Sequence, residues 1–286
     1  MEKINLIKDL RERTGAGFVD CKNALYESKN NIEEAINILR QKGISRAVKK
    51  SKRTANEGIV SININDENAT IIEINTETDF VAKNSEFLDF VKEINSLSNK
   101  ADDVQSLLNV KHNEKNTIND SLTNLISKIG ENILINRFQK INVEKNTKVY
   151  GYVHNRYEDN IGKIASLMKI KSESFDEELD NLSKNICMHI AASKPISISI
   201  NELDEKIVDN EISIIKESIK SSGKPKNIID NIVNGKLNKF YEEVVLLEQK
   251  YIVDNETKIK DLLKQYKKTK NIDINITDFK LFVLGS

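Results

Sequence analysis

An α+β fold is predicted for this chain: a small N-terminal helical bundle, then two related α+β subdomains, the second interrupted by an inserted antiparallel helical hairpin. Three observations predict it. Apolar side chains recur at helical spacing through the first 43 residues, broken by Gly and Asn. From Gly58 onward, alternating runs rich in β-branched residues come in pairs, as hairpin strands do. The order hairpin, helices, strand then occurs a second time, with a period too irregular for a solenoid.

In order, the first helix carries Ile4, Ile7 and Leu10 on one face and stops at Thr14-Gly15-Ala16-Gly17, where glycine permits a tight turn. A second helix starts near Phe18, with Cys21 and Leu25 inward. Asn31 is expected to cap the third, with Glu34 three positions on as in a capping box. Ile32, Ala35 and Leu39 continue its apolar face, and Gly43 is the expected stop. The basic run Arg46-Ala47-Val48-Lys49-Lys50-Ser51-Lys52-Arg53 reads as a solvated linker by default. A helix extension, or a contact for RNA or an acidic partner, is the alternative. GIVSINI and TIIEIN form a hairpin around Asp66-Glu67-Asn68. Helices follow over roughly 83–98 and 114–129, then a strand in NILINRFQKINV. In the second block, VYGYVH and IGKIASLMKI form a hairpin, DEELDNLSKNICMHIAAS a helix, and IDINITDFKLFVL the closing strand. Residues 204–240 interrupt this block. Ile207, Ile212, Ile215 and Ile219 are expected to oppose Ile228, Ile229, Ile232 and Leu237 across a turn at Gly223-Lys224-Pro225. The domain reading is 1–54 (bundle and basic linker), 55–145 and 146–286, the last containing the hairpin arm.

Composition narrows the function. Among 286 residues, Lys+Arg and Asp+Glu are both 44, so the formal net charge is zero. That lacks the basic footprint of a general nucleic-acid binder. Two distant cysteines, Cys21 and Cys187, imply no disulfide framework and favour a reducing compartment. No apolar run approaches the ~18 residues of a membrane span. The N-terminus is too charged for a signal-peptide core. The expected location is the cytoplasm, or an organelle matrix if a transit peptide has been removed.

The sequence carries no strong catalytic or metal-binding motif. His112, His154 and His189 default to structural or surface roles. Cys187 and His189 are two apart on an expected helix and face different directions, so they cannot share a metal. Gly223-Lys224 resembles the end of a phosphate-binding loop, but Pro225 replaces the Mg²⁺-ligating Ser/Thr and no strand precedes it. There is no nucleophile elbow. Neither catalytic residues, metal ligands nor a cofactor are expected, and the chain is not read as an enzyme.

One stretch, TETDFVAKNSEF (76–87), sets a carboxylate beside a large aromatic where a strand gives way to a helix. On the residues alone, Thr78 or Asp79 caps the helix, and Phe80, Phe87, Val91 and Ile94 recur at i, i+7, i+11 and i+14 as a core stripe.

RERTGAGFVDCKNAL (11–25), TETDFVAKNSEF (76–87), KIGENILI (128–135), MHIAASKP (188–195) and SGKPKNIIDNIVNGKLNKF (222–240) resemble, in the same order, segments of elongation factor Ts. The resemblance implies a guanine-nucleotide exchange factor for elongation factor Tu, the GTPase that delivers aminoacyl-tRNA, with no bond-making chemistry and no cofactor. It implies that residues 1–43 form a module like the ubiquitin-associated bundle. That module would dock on the GTPase through Arg13, Thr14, Gly15, Ala16 and Gly17. It further implies that Thr78, Asp79, Phe80 and Val81 form a wedge, with Asp79 and Phe80 entering the partner near its Mg²⁺ site. Tyr152-Val153-His154 matches a family pattern whose histidine also contacts the partner. The hairpin arm corresponds to the family's coiled-coil insertion. The sequence ends after a strand-like run, without the C-terminal helical module some relatives carry. The GDP-bound GTPase is the expected partner, as a simple complex, a 2:2 complex or beside a homodimer of this chain. No membrane and no direct nucleic-acid contact are expected. Two other readings stay open: a helical docking scaffold, and an RNA-binding protein using the 46–53 run.

Overall fold

Eleven α-helices and seven β-strands are laid out along residues 2–219 and 225–286, which the computed structural model describes. Helices α1 (Glu2–Thr14), α2 (Phe18–Glu27) and α3 (Ile32–Lys50) form the N-terminal bundle around buried Leu10, Cys21, Ala24, Leu25 and Ala35. Gly15 adopts φ +66°, which ends α1 without the penalty a Cβ would bring. Asn31 caps α3 by accepting the Glu34 N–H at 3.2 Å.

Gly43 does not stop α3. It is buried inside a helix that runs on to Lys50, facing α7 (Ile118–Ile129), where an added Cβ would lie 3.3 Å from Ser127 Oγ. Here glycine provides close helix approach rather than a left-handed cap. The basic run is therefore largely a helix extension rather than a linker, and most of it is exposed to solvent. Arg46 grips the Asp20 carboxylate with two bonds (2.8 and 3.1 Å), Lys50 donates to the Gly130 carbonyl, and Arg53 reaches Glu77 at 3.4 Å.

Strands β1 (Glu57–Ile64), β2 (Asn68–Thr76) and β3 (Ile133–Asn142) make an antiparallel sheet; β4 (Thr147–His154), β6 (Ile164–Ser172) and β7 (Ile274–Val283) make a second. The strand expected over 161–170 is split. Ile161-Gly162, forming β5, pairs with β1 at the edge of the first sheet, and the chain then passes into β6 of the second. The strands match in length, 8, 9 and 10 residues in each sheet. The register slips at the same place in both, between Glu73 and Ile74 and between Lys169 and Ile170, the sixth and seventh residues of β2 and β6. One bulged residue each, Asn136 and Thr277, accounts for the slips. The two blocks are thus structurally related, with helices inserted between second and third strands in both cases.

Because strand side chains alternate in direction, each sheet has two apolar faces and the molecule has four layers. Ile59, Ile72 and Ile74 pack against α5 (Ser85–Leu97) and α7. Val60, Ile62, Ala69 and Ile71 meet Val149, Val153, Ala165, Leu167 and Phe282 between the sheets. Met168 and Ile170 pack against α8 (Glu177–Ser193) and α11 (Ile259–Lys270). The arm comprises α9 (Glu205–Ile219) and α10 (Lys226–Val244), joined along Ile215, Ile219 and Val233 with Ile212, Ile229, Ile232 and Leu237. Ile207 and Ile228, expected in that seam, are exposed; each is rotated off the line of its neighbours by the 100° step of the helix, and Val233 is buried in the seam. Of the expected turn, Gly223 and Lys224 lie outside the described residues.

Candidate functional site

The candidate wedge is built on one turn of helix, α4 (Asp79–Ala82), set between β2 and α5. Thr78, not Asp79, is its cap: Thr78 is extended, at φ −129° and ψ 156°, and its Oγ1 accepts the Val81 N–H at 3.5 Å. The other groups of Thr78 are also engaged. Its N–H and hydroxyl donate to the two oxygens of Glu131 at 3.0 and 2.8 Å, and its carbonyl accepts from Thr76 Oγ1 at 2.8 Å. Next to it, the Glu77 carboxylate accepts the Asn132 N–H at 2.6 Å.

Val81 and Ala82 are buried, which seats one side of α4 on the first sheet. Phe80 points the other way. It is 81% exposed and takes no part in the core stripe that Phe87, Val91 and Ile94 do form. Asp79 pairs with Lys83 one turn on, Oδ2 to Nζ at 2.8 Å. That hydrogen bond holds the Asp79 carboxyl below its ordinary range and the Lys83 ammonium above its own, with Lys163 adding to the effect on Asp79. Both groups are therefore charged at neutral pH, on an exposed turn beside an exposed aromatic.

Lys163 links this turn to His154. Its backbone N–H donates to the His154 carbonyl at 3.1 Å, while its side chain lies 3.7 Å from Glu57 and adds positive field at Asp79. The crossing from β5 to β6 makes this possible. At Gly162 an added Cβ would fall 2.6 Å from the His154 carbonyl, so only glycine lets the two segments lie so close. His154 itself is exposed at the end of β4, its Nδ1 3.2 Å from the Tyr152 hydroxyl and its ring stacked on that side chain at 28°.

Arg13, Thr14, Gly15, Ala16 and Gly17 form the α1–α2 turn. Among the described residues, no hydrogen bond or ion pair joins them to residues 78–81 or to His154. Arg13 is held by Asp9 at 2.9 Å, the Thr14 hydroxyl donates to the Leu10 carbonyl and accepts the Ala16 N–H, and Gly17 precedes α2 as its cap. The other two histidines are engaged structurally. His112 bridges Ser121 and Glu93, and His189 is buried between Gln249 and the Ile252 N–H. No group of three or more His, Cys, Asp or Glu side chains among the described residues is placed to hold a metal ion, and no described helix is long and apolar enough to cross a membrane.

Sequence reading did not single out Glu77, Glu131 or Lys163. KIGENILI, which contains Glu131, was the available signal; its role depends on a contact 53 residues away that no local pattern reveals.

A family described as elongation factor TS matches residues 77–286. Elongation factor Ts of Ehrlichia ruminantium (strain Gardel) is 38% identical over 284 residues, covering 99% of this chain and 98% of the relative. That of Rhodospirillum rubrum is 42% identical over 283 residues, covering 98% and 91%. That of Orientia tsutsugamushi (strain Boryong) is 37% identical over 282 residues, covering 99% and 91%. With the family match spanning most of the chain and the relatives nearly all of it, this chain belongs to the elongation factor Ts family.

Proposed function

We propose that this chain is the guanine-nucleotide exchange factor of elongation factor Tu, and that Asp79 and Phe80, framed by Thr78 and Val81, are the wedge that loosens GDP. The observation that carries this reading is the exposure of Phe80 on a turn whose cap residue is bonded at every polar group. Burying a phenylalanine yields about 1.5–3 kcal/mol. The free fold forgoes that gain and leaves the ring in water on a turn anchored through Thr78, which suits a side chain meant for another protein's surface.

The mechanism needs no covalent step, cofactor or metal belonging to this chain. Mg²⁺ in a GTPase demands near-ideal octahedral geometry, so small displacements of its surroundings are costly. Phe80 inserts between partner elements, and the Asp79 carboxylate competes for donors or shifts the field beside the metal. Factor and GDP then weaken each other's binding by the same factor, as linkage requires. The N-terminal bundle docks through the Arg13–Gly17 turn, and His154 adds a contact on the edge it shares with the wedge through Lys163. The binding energy of those surfaces supports the insertion.

The RNA-binding reading loses ground because three of the five basic side chains of the 46–53 run, Arg46, Lys50 and Arg53, bond within the protein. Release of a fluorescent GDP from elongation factor Tu, with and without this chain, tests the proposal. Acceleration supports it; tight binding with no change in release rate would make the chain a scaffold.

A further inference from the structure

We infer that Glu131 is the positioning residue of the wedge: from the turn after α7, its carboxylate clamps Thr78 and thereby fixes the direction in which Asp79 and Phe80 project. The inference rests on the wedge reading above and extends it to a residue outside the turn that bears Asp79 and Phe80.

The geometry is specific. Both oxygens of Glu131 are used, one for the Thr78 N–H at 3.0 Å and one for the Thr78 hydroxyl at 2.8 Å. Once the hydroxyl proton is committed to Glu131, the lone pairs of Oγ1 turn toward α4 and accept the Val81 N–H. The carboxylate thus sets the rotamer that makes Thr78 a cap. Hydrogen bonds to an ionised acceptor are about twice as strong as neutral ones, and this one closes between elements far apart in sequence. The bonds within α4 itself are few, since one helical turn is too short to hold its own direction.

The same turn serves the N-terminal bundle. Gly130 takes a left-handed φ of +90° to end α7, and its carbonyl receives Lys50 of α3. The Asn132 N–H donates to Glu77, and its side chain donates to the Arg53 carbonyl at 2.8 Å. Three consecutive residues therefore tie the end of α3, the end of β2 and the start of α4 to one another. A bundle docked on a partner and a wedge inserted into it would keep a fixed spacing through this junction.

The test uses the full chain and stopped-flow release of fluorescent GDP from elongation factor Tu, read as both the saturating rate and the half-saturating factor concentration. For Glu131→Ala the saturating rate should fall about tenfold or more, the scale on which misplacement of a working group acts. The half-saturating concentration should stay near the parent's, because the docking surfaces are untouched. Glu131→Gln keeps the length and one acceptor and should recover part of the rate, which also covers an alanine variant that folds poorly. In the Phe80→Ala background, Glu131→Ala should cost clearly less than it does in the parent, since part of its effect acts through that ring and only the part that acts through Asp79 is left. An unchanged saturating rate in Glu131→Ala, or a full additional loss on top of Phe80→Ala, overturns the inference. If Phe80→Ala alone leaves release at the parent rate, it is the wedge reading that fails.

Discussion

His189 shows how exacting a single buried side chain can be in structure. It has no exposed surface, and its Nδ1 accepts the Ile252 N–H at 3.2 Å, so Nε2 carries the proton and donates to Gln249 Oε1 at 2.9 Å. Gln249 in turn donates to the carbonyls of Ser193 and Glu243, tying α8 to the end of α10. Protonating Nδ1 would set an N–H against an N–H. Burial lowers the His189 pKa, and the Gln249 bond offsets this only partly. The folded state thus binds the proton less readily than the unfolded one. Its stabilising contribution is present above the ordinary histidine value and is lost as pH falls through that value toward the folded one. The melting temperature should drop between about pH 7 and pH 5, and by less in His189→Gln; equal drops would contradict this assignment. At Thr78 the residue scale also separates two readings that the sequence leaves joined. Thr and Asp are both good caps, and only the extended backbone of Thr78 and its bond to Val81 decide between them. Asp79→Ala should accordingly leave the melting temperature near the parent's while slowing GDP release. A cap-like loss of stability with normal release would return Asp79 to a structural role.

At the scale of elements, α3 carries the clearest lesson. Glycine after a periodic apolar stretch is a fair stop signal, yet at Gly43 the tertiary contact with α7 decides. Gly43→Leu should wedge α3 from Ser127 and Thr123 and cost about 1–3 kcal/mol by overpacking. Chemical denaturation checks this, and a change below about 0.5 kcal/mol would contradict the close helix approach. The strands were readable because β-branched alternation and short turns are local signals; β1, β2, β3, β4, β6 and β7 all fall on expected runs. Helix α11 went unread although Ile259, Leu263 and Tyr266 stand at i, i+4 and i+7, because five lysines among its twelve residues mask the stripe. The move of Ile161-Gly162 into the first sheet was illegible for a different reason: nothing in two residues says which sheet will hold them. Phe80 falls in that class too. Its spacing from Phe87 fits a helical stripe, but α4 and α5 are separate helices with a break at Lys83-Asn84, so the spacing does not carry across.

Across the whole molecule, the two sheets meet at a buried charge. Glu73 has no exposed surface and stands mid-strand on the face of β2 that turns toward the second sheet. Arg137 of β3 binds it through Nε at 2.7 Å and through Nη2, lies 4.4 Å over the Phe282 ring, and donates to the Val283 carbonyl. The Gly285 N–H adds a further bond to Glu73 at 3.2 Å. First sheet and last strand are thereby joined by one ion pair. Removing Arg137 strands the fully buried Glu73, so Arg137→Ala should cost about 3–5 kcal/mol in chemical denaturation, whereas a loss below about 1 kcal/mol, as for a surface pair, would show that the pair does not join the sheets. The four-layer body, with the bundle packed on α7 and the arm beyond α8, carries the exposed turn of Asp79 and Phe80 at the end of β2 in the first sheet.

The central claim is that Phe80 faces water in order to enter another protein, and one paired measurement on Phe80→Ala tests it most directly. Stability is read by denaturation, and exchange by release of fluorescent GDP from elongation factor Tu. A surface substitution should change stability by no more than about 0.5 kcal/mol. Losing an aromatic anchor worth about 2 kcal/mol should slow release roughly thirtyfold. A variant that loses about 3–5 kcal/mol of stability, as a core phenylalanine would, yet still drives release at the parent rate when folded, would contradict it.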